Sequence, residues 1–214
     1  MRIENGFQIV GSKIGATSSA VQRQFGIYQP DFGMLFNDGR VEDGGEISVR
    51  EIMQPKVEGE IAFVLSRDID KSPIDAVEVI SSISHAVVAL ELLGSRIKNW
   101  DISIADTIAD NASGSHWVIG NEPKSLEKID LVNCKMVMKK NGNVVSEGRG
   151  SNSLGSPINS ALWLIRTLLN LNIPMKAGDF ILSGSLGEVV DAKAGDKFSL
   201  TISGLGRTSV NFIE

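Results

Sequence analysis

Gln54-Pro-Lys-Val-Glu-Gly-Glu-Ile-Ala-Phe-Val-Leu65 carries two carboxylates, Glu58 and Glu60, one glycine apart at the head of an apolar, β-branched run. Such a run reads as a strand, and the two-residue period of a strand puts both carboxylates on one face. Two like charges so placed require a cation between them. Further on, Glu91 stands alone inside Ala86-Val-Val-Ala-Leu-Glu-Leu-Leu93, where an uncompensated carboxylate costs several kcal/mol. Three carboxylates without histidine or cysteine make a hard-oxygen set suited to Mg²⁺ or Mn²⁺ rather than zinc. If the three converge, the expected site is octahedral, with protein oxygens about 2.0 to 2.2 Å from the ion. Two other readings fit the same residues. Lys56, Glu58 and Glu60 share parity and would also make the solvated face of an antiparallel strand, and Glu91 would also be satisfied by an ion pair with Arg96.

At 214 residues, with 42% apolar and 22% charged residues and no low-complexity linker, the sequence predicts a single domain over residues 1–214. A formal net charge of -5 argues against binding a phosphate backbone, so nucleic acid is not an expected partner. Cys134 is the sole cysteine, and Met1-Arg-Ile-Glu-Asn-Gly6 lacks the apolar core of a signal peptide; both point to a reducing, cytoplasmic location. No apolar run approaches the roughly 20 residues that cross a bilayer, so membrane association is not expected.

Around the acidic strand, hydrophobic period and turn residues outline the remaining elements. Gln8-Ile-Val-Gly-Ser-Lys-Ile-Gly15 alternates and ends in glycine, a short strand carrying Lys13. A helix capped by Thr17 or Ser18 follows, with Val21 and Phe25 facing inward and Gly26 closing it. Pro30-Asp31-Phe32-Gly33 reads as a turn, and Met34-Leu35-Phe36 as a strand stopped by Asn37-Asp38-Gly39. Ser72-Pro73 is read as the cap and first residue of a helix that buries Ile74, Val77, Ile80 and Ile83; His85 to Leu93 is the next strand. Trp100 to Asp110 reads as a helix with Asp106 and Asp110 in a solvated stripe, broken by Asn111-Ala-Ser-Gly-Ser115. Lys135 to Lys140 and Val144 to Gly148 form a hairpin around Asn141-Gly142, which supplies the positive φ angles of a type I′ turn. Ser156-Pro157 opens a helix through Leu171 with Ala161, Leu162, Ile165, Leu168 and Leu169 as its buried stripe. Ala177-Gly-Asp179 and Ala194-Gly-Asp196 each deliver a strand, and Thr208 to Ile213 supplies the last.

Six segments in this order resemble the 2-keto-4-pentenoate hydratase branch of the fumarylacetoacetate hydrolase superfamily. They are Gly11-Ser-Lys-Ile-Gly-Ala-Thr17, Gln29-Pro-Asp-Phe-Gly33, Glu58-Gly-Glu60 with Glu91, Gly94-Ser-Arg-Ile-Lys-Asn-Trp100, Ala109-Asp-Asn-Ala-Ser113 and Leu182-Ser-Gly-Ser-Leu-Gly187. Together they span nearly the whole chain. The resemblance implies an α+β, mainly β fold: a mixed, strongly twisted β-roll of the fumarylacetoacetate hydrolase C-terminal-domain type with a few packed helices. It implies Mg²⁺ or Mn²⁺ on Glu58, Glu60 and Glu91, a catalytic pair of Lys13 and Asp31, and a homo-oligomer. It also places Thr17, Asp110, Asn111, Ser113 and Ser185 near the substrate. Without it, Lys13 reads as a strand-end lysine, Asp31 as a turn residue, Asn111 to Ser113 as a capped helix end and Ser183 to Ser185 as a β-turn. Two features depart from the family pattern. The chain begins close to Gly-x-Lys-x-Gly, without the helical segment that precedes it in family members, which leads us to expect apolar surface covered by a partner. Gly155-Ser156-Pro157 has serine where family hydratases often have histidine.

The activity so implied is divalent-metal-dependent hydration of a 2-hydroxy-2,4-dienoate to a 4-hydroxy-2-oxo acid, as in aromatic meta-cleavage catabolism. The carboxylate and adjacent oxygen of such a substrate lie in one plane and can chelate a cation, which stabilises enolate charge. A proton at the far carbon gives a conjugated ketone, and water then adds to the activated double bond. Lys13 is the cation placed against the developing oxyanion or the acid-base step, with Asp31 as its partner. The alternatives are a 2-oxo-3-enedioate decarboxylase of the 4-oxalocrotonate type, an acylpyruvate hydrolase, and a catalytically silent subunit of a hetero-complex. Hydrolase members activate water with a His and Glu pair on a short helix, and neither His85 nor His116 stands in a His-x-x-Glu pattern. A decarboxylase shares the metal and lysine and differs in how it holds the far end of its substrate.

Overall fold

The computed structural model describes residues 6–18, 22–23, 26 and 28–214; Val21 and Phe25, expected on the inner side of a helix, lie outside them. Two sheets pack against each other. The first has eight strands, ordered β2 (Asp31–Phe36), β1 (Ile9–Gly15), β10 (Phe180–Leu182), β5 (Lys56–Leu65), β6 (Ile83–Leu93), β7 (Gly114–Ile119) and β3 (Arg40–Val41), with β11 (Val190–Asp191) also on β5. The second has five, ordered β4 (Glu46–Ser48), β13 (Gly206–Ile213), β12 (Lys197–Ile202), β8 (Lys135–Lys140) and β9 (Asn143–Arg149). Parallel pairs (β1 with β10, β3 with β7, β4 with β13) sit among antiparallel ones, so the sheets are mixed. Strand dominates, as the resemblance implies, and α1 (Ala76–Ser82), α2 (Ile104–Ala109) and α3 (Pro157–Asn170) flank it.

The outer face of β5 explains the glycine between the two acids. Val57, Ile61 and Phe63 join Val88, Leu90 and Leu92 of β6 in a core completed by Phe198, Leu200, Met136 and Phe212 of the second sheet. Gly59 points the same way, and a Cβ on it would stand 2.8 Å from Leu200 Cδ1. Only glycine lets the sheets close there. The opposite face of β5 carries Glu58, Glu60 and Ala62, and this face lines the inside of a curl. Lys13 on β1 and Glu91 on β6 are separated by β10 and β5, three interstrand steps of about 4.8 Å or roughly 14 Å on a flat sheet. Their charged ends nevertheless lie 2.7 Å apart. The curl also brings the edges together: Trp117 Nε1 of β7 donates to the carbonyl of Phe36 at the end of β2 (3.2 Å). Half of the inner face is apolar, with Leu35, Ala62, Val87, Ala89, Trp117 and Leu182 packed together. The other half holds the charges.

Several local expectations need correcting. Pro30 to Gly33 is not a turn: Asp31 to Gly33 are extended and pair with Gly15 to Lys13, so β2 starts at Asp31. The helix expected from Ser72 starts later, at α1, because Asp75 and Glu78 form a capping box (Glu78 N–H to Asp75 Oδ1, 2.9 Å) that outcompetes the Ser-Pro signal. Its register therefore rotates; Val79 and Ser82 are buried, while Val77 and Ile80 face solvent. The same device shortens the 100–110 helix to α2, where Ser103 and Asp106 cap each other. Within α3, capped by Ser156, Leu164 is buried and Leu162 and Leu169 are only partly so. The hairpin forms as expected, with Asn141 at φ +53° and Gly142 at +85°.

Candidate active site

Strand register builds the acidic cluster. Glu58 lies directly opposite Glu91 in the β5–β6 ladder, and Glu60 is one side-chain period further along β5. Ligand oxygens of the three carboxylates all come within 4.8 Å of one another. Their exposures are 5%, 0% and 2%, which disposes of the solvated-face reading. Arg96 is not the partner of Glu91; its Nε pairs with Asp110 (3.2 Å), and Glu91 instead meets Lys13.

The strand beside β5 is interrupted at this point. β10 covers Ala62 to Val64 and β11 covers Lys56 and Val57, and the chain between them arches over the acids. Ser183 N–H donates to Ile61 O (2.9 Å) and Leu186 N–H to Gly59 O (3.0 Å), so the arch is strapped to β5. It delivers the Gly184 N–H to Glu60 Oε2 at 2.7 Å. The other oxygen, Glu60 Oε1, is buried and has no hydrogen-bond partner among the described residues. Gly184 is at φ +89°, and a Cβ there would press on Thr17 at 2.3 Å from Oγ1.

Lys13 is 1% exposed and its ammonium is fixed by Glu91 Oε1 and the carbonyl of Ala112. Burial works to lower its pKa, but Glu91, Asp31 and Glu58 outweigh that and hold it above the ordinary lysine value. Burial first, then the Glu91 charge, pushes Glu58 up to about 8; burial with Glu91 and Glu58 drives Glu60 well above the usual carboxylate range. Three carboxylates facing one ammonium in a dry site are short of positive charge. An oxygen-only donor set with an orphaned buried oxygen suits a hard divalent cation.

Asp31 accepts a hydrogen bond from Thr107 Oγ1 of α2, and Gly15 opposite leaves room for its other oxygen, which a Cβ would approach to 2.2 Å. Lys13, Asp31 and Glu58 line a narrow pocket together with the apolar Leu93, Trp100 and Ile102. Ser113 also lines it, with a buried Oγ that lacks a hydrogen-bond partner among the described residues. Thr17 Oγ1, beside Gly184, is likewise buried and without a hydrogen-bond partner among them. The remaining residues implied by the resemblance are used by the scaffold. Asp110 Oδ2 accepts from Arg96 N–H (3.0 Å). Asn111 clamps β2 by accepting from Met34 N–H (2.7 Å) and donating to Met34 O (3.0 Å). Ser185 Oγ donates to Gly187 O (2.9 Å). Sequence reading missed Thr107 and the apolar wall. Thr107 could have been found as a polar residue on the buried side of a short capped helix; the wall depends on a loop with no periodic signal.

Residues 12–212 match the fumarylacetoacetate (FAA) hydrolase C-terminal family. The chain is 48% identical over 207 residues to the TodF product hydratase of Pseudomonas putida strain F1, covering 97% of this chain and 77% of the relative. It is 45% identical over 210 residues to 2-keto-4-pentenoate hydratase 1 of Dechloromonas aromatica strain RCB, covering 98% of this chain and 80% of that one. Among solved structures, 4-oxalocrotonate decarboxylase from Pseudomonas putida G7, complexed with magnesium and adipate, superposes with a TM-score of 0.93 at 33% identity over 99% of this chain and 81% of its own.

Proposed function

The chain belongs to the fumarylacetoacetate hydrolase C-terminal family, and from that premise we propose a divalent-metal-dependent hydratase that converts a 2-hydroxy-2,4-dienoate of the 2-keto-4-pentenoate type to a 4-hydroxy-2-oxo acid, a step of aromatic meta-cleavage catabolism. The observation that carries the reading is the convergence of buried Glu58, Glu60 and Glu91 with Lys13 on one inner face, in a chain whose relatives are named for this hydration.

Glu58, Glu60 and Glu91 would hold Mg²⁺ or Mn²⁺. When bound, the cation supplies Lewis-acid stabilisation of the negative charge that develops on the oxygens of a 2-oxo acid. The chain's own groups do the rest. Lys13, kept as an ammonium by Glu91 and Asp31, stabilises developing negative charge at Nζ and orients an anionic substrate. Asp31, whose Oδ2 is fixed by Thr107, is the carboxylate placed to carry the proton that leaves the dienol oxygen and the one that arrives at the far carbon. Water then adds across the double bond next to that carbon. Ser113 and Thr17 offer buried hydroxyls, without hydrogen-bond partners among the described residues, for substrate oxygens. Leu93, Trp100 and Ile102 keep bulk water from the far end.

A decarboxylase of the 4-oxalocrotonate type is the second reading, favoured by the 0.93 superposition. Its dicarboxylic substrate would bring a second carboxylate to the far end. Here that end is the apolar wall, and Lys56 beyond Trp100 is already paired with Asp191. Incubating the Mg²⁺-loaded protein with 2-hydroxypenta-2,4-dienoate and with 2-oxo-3-hexenedioate, and identifying products by mass, tests the proposal. Gain of water by the first is expected; release of carbon dioxide from the second alone would transfer the protein to the decarboxylases.

Two further parts of the proposal are a reducing cytoplasmic setting, consistent with the buried thiol of Cys134, and homo-oligomerisation. The apolar face of α1 supports the latter, with Val77 72% and Ile80 46% exposed. Light scattering should report a mass above the 23.0 kDa of one chain; a monodisperse monomer at micromolar concentration would refute it.

A further inference from the structure

We infer that Trp100 sets how long a substrate the pocket accepts beyond its reacting carbons, and that Gln54 is the residue that positions it. The inference rests on the hydratase reading for the orientation of the substrate: with its 2-oxo acid end at the carboxylates, its far end would meet the apolar lining of the same pocket, Leu93, Trp100 and Ile102.

Trp100 stands on an improbable backbone. It is at φ +56° and Asn99 before it at φ +59°, two consecutive left-handed residues without a glycine. Such a pair persists only where its surroundings hold it. The holder is Gln54. Its Nε2 donates to Ser95 O (2.9 Å) and Ile97 O (2.7 Å), its Oε1 accepts from Asn99 N–H (2.7 Å), and its own carbonyl accepts from Trp100 Nε1 (3.1 Å). Both ends of one amide side chain and the adjacent carbonyl are therefore committed to one loop. Gly94 lets the two segments touch: a Cβ there would lie 2.6 Å from Ile52 Cγ2. The indole packs against Leu93 and Val189 and has the Lys56 ammonium 5.2 Å from its ring centroid. No part of the metal or proton chemistry requires Gln54. What its bonds fix is the position of a large flat side chain in the pocket that Lys13 also lines. A rigid apolar wall discriminates one methylene by about tenfold or more.

The test is calorimetric titration, with saturating Mg²⁺, of the unreactive straight-chain acids 2-oxobutanoate, 2-oxopentanoate, 2-oxohexanoate and 2-oxoheptanoate. In the unmodified protein, affinity should rise with chain length and then break off. Trp100→Ala and Trp100→Leu should raise the affinity for the longest acid relative to the shortest by about tenfold or more, while Mn²⁺ binding stays within twofold. Gln54→Ala should move the same ratio in the same direction, and Trp100→Phe, which keeps a ring at the wall, should retain most of the original preference. A ratio that is unchanged in both Trp100→Ala and Trp100→Leu, or an unmodified protein whose affinity shows no break, overturns the inference. Because the readout is binding, a shifted ratio in a protein that hydrates no dienoate would overturn the hydratase reading and leave the wall intact.

Discussion

Replacing Lys13 with methionine removes an ammonium that faces the acidic cluster and keeps most of the side chain's bulk. Lys13 and Glu91 are 1% and 2% exposed and 2.7 Å apart, so the substitution leaves a buried carboxylate without its cation. Breaking a buried pair in this way costs about 3–5 kcal/mol. For a domain of this size each kcal/mol corresponds to about 2–4 °C, giving a fall in Tm of roughly 6–20 °C without metal. A divalent cation should offset much of that loss, since it supplies positive charge beside the same carboxylates. Added Mg²⁺ should therefore raise the Tm of Lys13→Met by more than it raises that of the unmodified protein. Turnover should not recover: a lost electrostatic contact to a developing oxyanion is worth about a hundredfold in rate. Calorimetric melts with and without Mg²⁺, together with the loss of dienoate absorbance, measure both quantities. A metal-free Tm equal to that of the unmodified protein would mean that the Lys13–Glu91 pair adds nothing to stability, and turnover within a few-fold would remove Lys13 from the chemistry.

Gly59→Ala should destabilise by about 1–3 kcal/mol through overpacking, because its Cβ would stand 2.8 Å from Leu200 Cδ1 and 3.3 Å from Met136 Sδ. It should also weaken Mn²⁺ binding by displacing Glu58 and Glu60; an unchanged melt would mean the second sheet can give way. Asp196 offers a pH test remote from the site. Burial alone would raise its pKa, but bonds from Lys140, Asn141 and the Lys193 N–H outweigh it and hold the carboxyl below the usual range. A depressed folded pKa contributes stability that is present above the unfolded value near 3.9 and is lost as pH falls through the lower folded value. Asp196→Asn should therefore cost about 2 kcal/mol at neutral pH, with the gap in denaturant midpoint closing only below about pH 4.

Much of the site was legible because strand period is a local property. Glu58-Gly-Glu60 and the isolated Glu91 declared themselves in the chain. That Glu58 sits opposite Glu91 depends on β5–β6 register, which no local pattern encodes. The direct contacts of Lys13 were less accessible still: curling of the sheet brings Glu91 and the carbonyl of Ala112 to the ammonium. Helix starts were misplaced wherever an Asp or Ser capping box competed with an earlier signal, as at Asp75 and Ser103. The wall residue Trp100 lies in a loop whose shape is set by Gln54, far away in sequence, so its role emerges only from contacts.

Mn²⁺ titration followed by electron paramagnetic resonance measures whether the three carboxylates hold a cation, with Glu60→Gln as the comparison. Glutamine at this position keeps an oxygen acceptor for the Gly184 N–H, which lies 2.7 Å from Glu60 Oε2, so the arch stays in place and only the charge is lost. The unmodified protein should bind one Mn²⁺ per chain, and Glu60→Gln should bind it about tenfold or more weakly, with dienoate turnover falling alongside. Mn²⁺ binding by Glu60→Gln equal to that of the unmodified protein would mean that Glu60 holds no cation.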